Sequence, residues 1–382
     1  MTNQLKILHL MHDEKFIDIF VDKFYRDGIS NIIVILKESS NYSGKHTTII
    51  QHVVPFSREY FNLSELMLKQ NFVFVYNLDY HKAYLINRLK KIKNIKIIWN
   101  FFGTEIYNDS RYPFLQNLYG THTKQLIRET SDINIKKTLR RIKYLLKGRK
   151  VPEKEIHFAM KKINFFAWYS KQEYNYLKNK VNDLPSFLQY PVDRSVPVLK
   201  PIQNPPNKLL IGNSRTPENN HLEILLLLED VQFDGNVVIP FSYGTDLYYA
   251  DGLKKYVKSL RLKIKLLENF LPYNEYLVET AYCNIAVYNS FRQMALGNIF
   301  ISIANGAKVY LSEKNISFSW LKQLGFIIYS IEKDLKKDLE EKDFYLTQNL
   351  QVENQNLYYN ITSPKNIDIF IKNLSDLAFD IN

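Results

Sequence analysis

The sequence predicts two α/β domains, each a parallel sheet covered on both faces by helices. Three observations carry that expectation. Short apolar runs alternate with helix-length amphipathic stretches through the first half of the chain, the signature of a parallel sheet. The same alternation restarts near residue 208. Between the two lies 190–207, YPVDRSVPVLKPIQNPPN, whose five prolines favour an extended connector. A chain of 382 residues also exceeds what one core usually organises.

The expected boundaries follow: a first domain over 1–190, a linker over 191–207, a second domain over 208–362, and a terminal helix within 363–382 able to pack back on the first domain. In the first half, strands are expected at 6–10, 31–36, 72–78, 95–101 and 163–169. Helices are expected over about 14–26 and 80–91 and from about 171. In the second half the expected order is strand 208–211, helix 218–228, strand 237–241, helix 247–260, strand 264–267 and a helix from about 273. Strand 284–288, helix 293–304, strand 308–311, helix 317–324 and strand 326–329 complete it.

Composition limits the function classes. Apolar residues make up 46% and charged residues 24%, as in a globular protein, and no apolar run reaches the roughly 18 residues of a membrane span. The N-terminus lacks the apolar length and cleavage site of a secretory signal. The single cysteine, Cys283, excludes an internal disulfide and a multi-cysteine zinc site, so a cytosolic location is expected. A net charge of +12 points to a polyanionic partner: nucleic acid, anionic lipid or a phosphorylated substrate.

Ligands of such sheets bind beyond the carboxyl ends of the strands. The stretch GNSRTPENNH, 212–221, is a strand-end turn leading to a helix start, an arrangement that offers unpaired N–H groups to an anion. Gly212 allows close backbone approach, and Asn213, Ser214, Thr216 and Asn219 add neutral hydrogen-bonding groups. Three further loops should converge there: PFSYGT (240–245) with Tyr243 and Gly244; LPYNEYL (271–277) with Tyr273 and Glu275; and NSFRQMALGNIF (289–300) with Asn289, Arg292, Gln293, Gly297 and Asn298. Arg292 is placed at a helix start, where guanidinium and helix dipole would both face a diphosphate. No Asp-X-Asp lies on a credible strand-end loop, so neither a metal nor another cofactor is expected. In the first half, Glu105 follows Gly103 at a strand end. It is either a base for an incoming hydroxyl or a helix cap. His12, after the first strand, is the second base candidate, and His9, Asn77 and Asp79 occupy comparable loops.

Residues 133–151 carry eight basic side chains and no acid, with Ile135, Leu139, Ile142 and Leu146 on one helical face. Lys136, Lys137, Arg140, Arg141 and Lys143 would meet an anionic membrane surface, each contributing about 1 kcal/mol. A solvated basic face on a core-packed helix is the alternative.

Two such domains on an extended linker match the GT-B glycosyltransferase architecture, with two Rossmann-like domains facing a cleft. The motifs GNSRTPENNH, PFSYGT, LPYNEYL and NSFRQMALGNIF, with WNFFGTEIY (99–107), resemble glycosyltransferase family 56. That family contains the 4-acetamido-4,6-dideoxygalactose (Fuc4NAc) transferase of enterobacterial common antigen synthesis. The resemblance is strongest over 209–330. It implies a dTDP-activated deoxyamino sugar as donor and an undecaprenyl-diphosphate-linked oligosaccharide as acceptor, for common antigen, O-antigen or capsule. It also implies a peripheral enzyme on the cytoplasmic side of the bacterial inner membrane. Trp99, Gly103 and Tyr107 would then belong to the acceptor side. Glu105 stands where the family carries Asp. The competing readings are a GT-B transferase or epimerase using UDP-sugars, a non-catalytic membrane-surface module of a polysaccharide assembly complex, and, more distantly, a nucleic-acid binder.

Overall fold

A computed structural model describes residues 4–12, 14, 17–38, 50–90, 92, 95–115, 117–130, 144, 146, 149–192, 196–199, 207–244 and 246–379. The chain divides into two compact units. Unit 1 comprises Met1–Gln116, Lys137–Ser195 and Ile361–Asn382, and unit 2 comprises Asn117–Lys136 and Val196–Asn360.

Unit 1 is built on a seven-stranded parallel sheet: β1 (Leu5–Met11), β2 (Ile29–Ile35), β3 (Ile50–His52), β4 (Phe72–Tyr76), β5 (Lys96–Asn100), β6 (Phe165–Trp168) and β7 (Ser186–Gln189). Their spatial order is β3-β2-β1-β4-β5-β6-β7. The central strands are apolar on both faces, as burial between two helical layers demands. Every residue of β4 is buried, and so is every residue of β1 except Lys6. The helix Pro364–Phe379 belongs to this unit, with Phe370 and Leu374 in one core cluster with Phe20, Phe24 and Tyr190. The helix expected over 14–26 is instead an α-helix, Ile17–Val21, followed by a 3₁₀ turn, Asp22–Phe24. The turn carries Lys23 inward, where its ammonium donates to Tyr190 Oη at 2.9 Å and the Phe20 carbonyl at 3.2 Å. Strands β3 and β7 were not expected; each is only three or four residues long, too short to show a period.

Unit 2 has six parallel strands: β8 (Lys208–Ile211), β9 (Asn236–Pro240), β10 (Lys263–Leu267), β11 (Ile285–Tyr288), β12 (Lys308–Leu311) and β13 (Tyr329–Ser330), ordered β10-β9-β8-β11-β12-β13. A segment from the first half of the sequence completes it. Leu126, on the helix Thr121–Thr130, sits in the core with Leu222 and Leu225 of the helix His221–Asp230. Glu223 of the latter helix accepts from Thr123 N at 2.9 Å and Thr123 Oγ1 at 2.6 Å.

Three boundaries differ from expectation. After β8 a 3₁₀ turn, Pro217–Asn219, comes first, and the α-helix starts only at His221, because Asn220 takes a left-handed conformation (φ 49°). Left-handed Ala295 (φ 63°) likewise delays the helix expected from 293 to Leu296. The strand expected over 326–329 is reduced to Tyr329–Ser330. Much of the linker, and Lys136, Lys137, Arg140, Arg141 and Lys143 of the basic segment, lie outside the described residues. Among the described residues no helix is long and apolar enough to cross a membrane.

Candidate functional site

In unit 2 the strand order reverses between β8 and β11, the place where sheets of this kind bind ligands beyond the carboxyl ends of their strands. Gly212 leaves β8 with φ +63°, and its N–H donates to the Val287 carbonyl at 2.9 Å. A Cβ here would lie 2.6 Å from Asn219 Oδ1, so the turn requires glycine. The Asn219 amide knits the loop: Oδ1 accepts from Asn213 N at 3.2 Å, and Nδ2 donates to Ser214 O, Ser214 Oγ and Thr216 Oγ1 at 2.9, 3.1 and 3.1 Å. The Ser214 and Thr216 hydroxyls are 3.0 Å apart, so one O–H is spent between them and one remains for another acceptor.

The β9 loop is tied to this turn. Arg215 donates from N to Tyr243 O at 3.0 Å and from Nε to Gly244 O at 2.9 Å. Asn213 Nδ2 donates to Tyr243 Oη at 2.7 Å. Gly244 (φ +128°) packs so closely that a Cβ would lie 2.9 Å from Arg215 Cγ. Tyr243 is 42% exposed.

Asn220 ties the β11 loop to the β8 loop from the other side. Its Nδ2 donates to Asn289 O at 2.9 Å and Leu118 O at 3.0 Å, its Oδ1 accepts from Gly120 N at 2.8 Å, and its carbonyl accepts from Asn289 Nδ2 at 3.3 Å. Arg292 follows, buried at 5% exposure. It donates from Nη1 to the Gln293 carbonyl at 2.9 Å, and Nη2 lies 3.8 Å from Glu218 Oε1. Tyr119 joins this pair electrostatically: burial and Glu218 push its hydroxyl up, and Arg292 opposes them. Three buried polar atoms on these loops have no partner among the described residues: Arg292 Nε, Gln293 Oε1 and Asn213 Oδ1. Buried polar atoms are rarely left so, and together they supply one donor and two acceptors to the same pair of loops.

These positions correct several expectations. Arg292 does not stand at a helix start; three residues separate it from Leu296. Ser214, Thr216, Asn219 and Asn289 mainly satisfy one another or the backbone, so they shape the loops more than they offer donors. Asn298 donates to Tyr276 Oη at 2.6 Å. Gly297 is exposed with nothing within 4 Å of a Cβ position, so close helix packing does not explain it. Tyr273 and Glu275 are exposed in the first turn of the helix Tyr273–Ala281. Glu218, Asn220 and Tyr119 were missed. For Asn220 the signal was present, since asparagine is among the residues most tolerant of the left-handed conformation.

In unit 1 the reversal falls between β1 and β4. His12 follows β1 and is exposed, with Nδ1 2.8 Å from the Leu36 carbonyl. A carbonyl only accepts, so Nδ1 carries a proton, and in the neutral ring the lone pair falls to Nε2, the tautomer of a base. His9 is instead core: its ring is fully buried between Tyr76 Oη at 2.9 Å and Asn31 Oδ1 at 3.1 Å. After β4, Asn77 is left-handed (φ 58°), and Asp79 caps the helix Tyr80–Arg88 and pairs with buried Lys82. Burial would raise the Asp79 carboxyl, but the Lys82 ammonium and its hydrogen bonds outweigh that and hold it low.

Glu105 is a buried first-turn residue of the helix Thr104–Tyr107. Its Oε1 accepts from Trp99 Nε1 at 3.0 Å, Phe102 N at 3.1 Å and Leu78 N at 3.3 Å, while Oε2 is buried without a partner among the described residues. Burial raises its carboxyl despite those hydrogen bonds. The carboxylate therefore braces the β4 and β5 ends. Trp99 is wholly buried and Tyr107 nearly so, its hydroxyl on Glu173 Oε1 at 2.8 Å. Gly103 (φ 102°) is buried beside them. The expectation that these three contact an acceptor gives way to a role in packing the strand end.

Two doubly wound units of this kind recur in solved glycosyltransferases. The Anabaena HepE complex with UDP matches with a TM-score of 0.66 at 11% identity, covering 97% of this chain and 100% of that one. Sucrose-phosphate synthase from Thermosynechococcus elongatus matches at 0.64 and 11%, covering 99% and 100%. An α-glucosyltransferase in complex with UDP and a 13-mer DNA matches at 0.58 and 12%, covering 98% and 99%. The fold is GT-B. Residues 156–342 match the family model described as 4-alpha-L-fucosyltransferase, glycosyl transferase group 56. That stretch matches the family the motifs resemble, and the match and the fold together show a glycosyltransferase.

Proposed function

We propose that unit 2 binds a dTDP-activated deoxyamino sugar of the Fuc4NAc type, and that the enzyme transfers the sugar to an undecaprenyl-diphosphate-linked oligosaccharide. The observation that carries the donor site is the set of orphaned polar atoms, Arg292 Nε, Gln293 Oε1 and Asn213 Oδ1, at the β8/β11 switch point. Arg292 is a fixed cation in a buried setting. It stabilises the charge that develops on a departing nucleoside diphosphate without reorganising at the moment of reaction. Glu218 neutralises Arg292 only partly, at 3.8 Å, and leaves Nε free. This arrangement makes a divalent cation dispensable. Tyr243, part-exposed beside the turn, is the aromatic group positioned to contact the base or ribose.

In the reaction the acceptor oxygen forms a bond to the anomeric carbon, the bond from that carbon to the diphosphate oxygen breaks, and the hydroxyl proton passes to a base. Unit 1 offers His12 Nε2, exposed and of the right tautomer, in preference to the buried Glu105. The dTDP nucleotide, the sugar and the lipid-linked acceptor rest on the family resemblance. So does the cytoplasmic face of the bacterial inner membrane, where the basic segment 133–151 would dock.

The test is turnover with a panel of dTDP- and UDP-sugars and a lipid-linked acceptor, with the product identified by mass spectrometry. Transfer from a dTDP-deoxyamino sugar is expected. Transfer only from UDP-sugars would overturn the donor, and donor binding without turnover against any lipid-linked acceptor would point to a binding module.

A further inference from the structure

The basic segment's described end, Arg149, lies in unit 1 close to the β1/β4 switch point. Its guanidinium carbon sits 3.7 Å from the centre of the Phe56 ring, a distance at which the planar cation lies against the ring. Among the described residues no carboxylate pairs with it. Phe56 follows β3 in a left-handed conformation (φ 69°), a strained choice for a bulky residue and one that tends to accompany function. The strain is held by neighbouring rings: His81 at 5.2 Å and Tyr84 at 5.1 Å, both edge-on. Two polar atoms of the same cluster, Tyr80 Oη and His81 Nδ1, are buried without a partner among the described residues, and Tyr80 is 5% exposed. His81 senses both Arg149 and His12. Burial is the main force pushing its ring toward the neutral form; Asp79 opposes it, and Lys82, His12 and Arg149 add to it. One cluster therefore combines a held cation, unused hydrogen-bonding groups and the proposed base.

We infer that Arg149, laid on Phe56, is the group that recognises a phosphate-type anion on the acceptor and so sets the acceptor's position before His12. The inference rests on the reading that unit 1 takes the acceptor. It adds a specificity determinant: the acceptor carries a phosphate-type anion that Arg149 reaches while the reacting hydroxyl lies before His12. Arg149 is a positioning residue, because its role is exerted on the acceptor's anion and not on the bond being made. The orphaned Tyr80 hydroxyl supplies a second donor for such an oxyanion.

The experiment compares binding of N-acetylglucosamine 1-phosphate with its neutral twin, methyl N-acetylglucosaminide, by titration of full-length protein. Wild type, Arg149→Gln, Arg149→Lys and Arg292→Gln are used, with thermal melts to confirm folding. Wild type should prefer the phosphate at least tenfold. Arg149→Gln should abolish the preference, Arg149→Lys should keep part of it, and Arg292→Gln should leave it intact. Equal binding of the two probes to wild type, or a preference lost only in Arg292→Gln, overturns the inference. Phosphatidylglycerol vesicles are a further arm. If Arg149→Gln weakens vesicle binding while the soluble phosphate never binds, Arg149 belongs to the bilayer contact and the inference also fails. Binding of dTDP to Arg149→Gln, measured separately, reports on the donor reading, so the two proposals fail independently.

Discussion

Single side chains divide here between those that hold a loop and those left able to act. Glu105 holds: three N–H groups converge on one of its oxygens. Glu105→Ala should therefore orphan two buried donors and a part-buried one, at about 1–3 kcal/mol for each buried donor left unsatisfied, measured by denaturant unfolding. Its raised carboxyl also fixes a sign. Between the ordinary carboxyl range and the higher folded value the native state binds more protons than the unfolded chain. Glu105 thus favours folding in acid and loses that contribution as pH rises through the folded value. His221 works the other way. Burial lowers its imidazole to about 3, so its support for folding is full above about 6.5 and declines as pH falls toward 3. The slope within that window is about 1.4 kcal/mol per pH unit, and His221→Gln should flatten it. His12 is the residue left able to act. His12→Gln should cut transfer about 10²–10⁴-fold while leaving nucleotide affinity unchanged; undiminished turnover would remove it as the base.

Among the elements, the turn after β8 is the most exacting. Gly212→Ala places a methyl group 2.6 Å from Asn219 Oδ1 and adds the penalty of a positive φ, so Asn219 must release its grip on Asn213, Ser214 and Thr216. Nucleotide affinity should fall at least tenfold and the melting temperature should fall with it; an unchanged affinity in the folded variant would mean the turn does not shape the site. The strand–turn–helix pattern that exposed this turn was legible because apolar runs and glycine are strong local signals. The helix starts at His221 and Leu296 were not. Left-handed Asn220 and Ala295 delay them, and such kinks are set by contacts distant in sequence, for Asn220 the Gly120 and Asn289 backbone. The same limit explains Trp99 and Glu105: aromatic and acidic residues at a strand end read as a site, but only the fold shows the indole donating to the carboxylate inside the core. The segment around Thr121–Thr130 was invisible because its partner, Glu223, lies 100 residues away.

At the scale of the molecule, alternation and the proline-rich stretch sufficed to reveal two doubly wound units, while the sharing of chain between them was only half legible. The terminal helix Pro364–Phe379 carries its own apolar stripe and shares a core cluster with residues of β1 and β4. Phe370→Ala should cost about 3–5 kcal/mol of unit 1 stability, visible in calorimetry as a lowered unit 1 transition with the unit 2 transition in place. Charge is the other whole-molecule property: at +12 the enzyme attracts anionic substrates and surfaces alike, so affinities carry meaning only at stated ionic strength. The central claim is that unit 2 grips a nucleoside diphosphate with Arg292 and the β8 turn in place of a metal ion. The most direct measurement is calorimetric titration of dTDP into wild type and Arg292→Gln, each with EDTA and with magnesium. The account predicts tight binding to wild type that EDTA leaves unchanged, weakened at least tenfold by the substitution. Binding that requires magnesium, or that Arg292→Gln leaves intact, would contradict it.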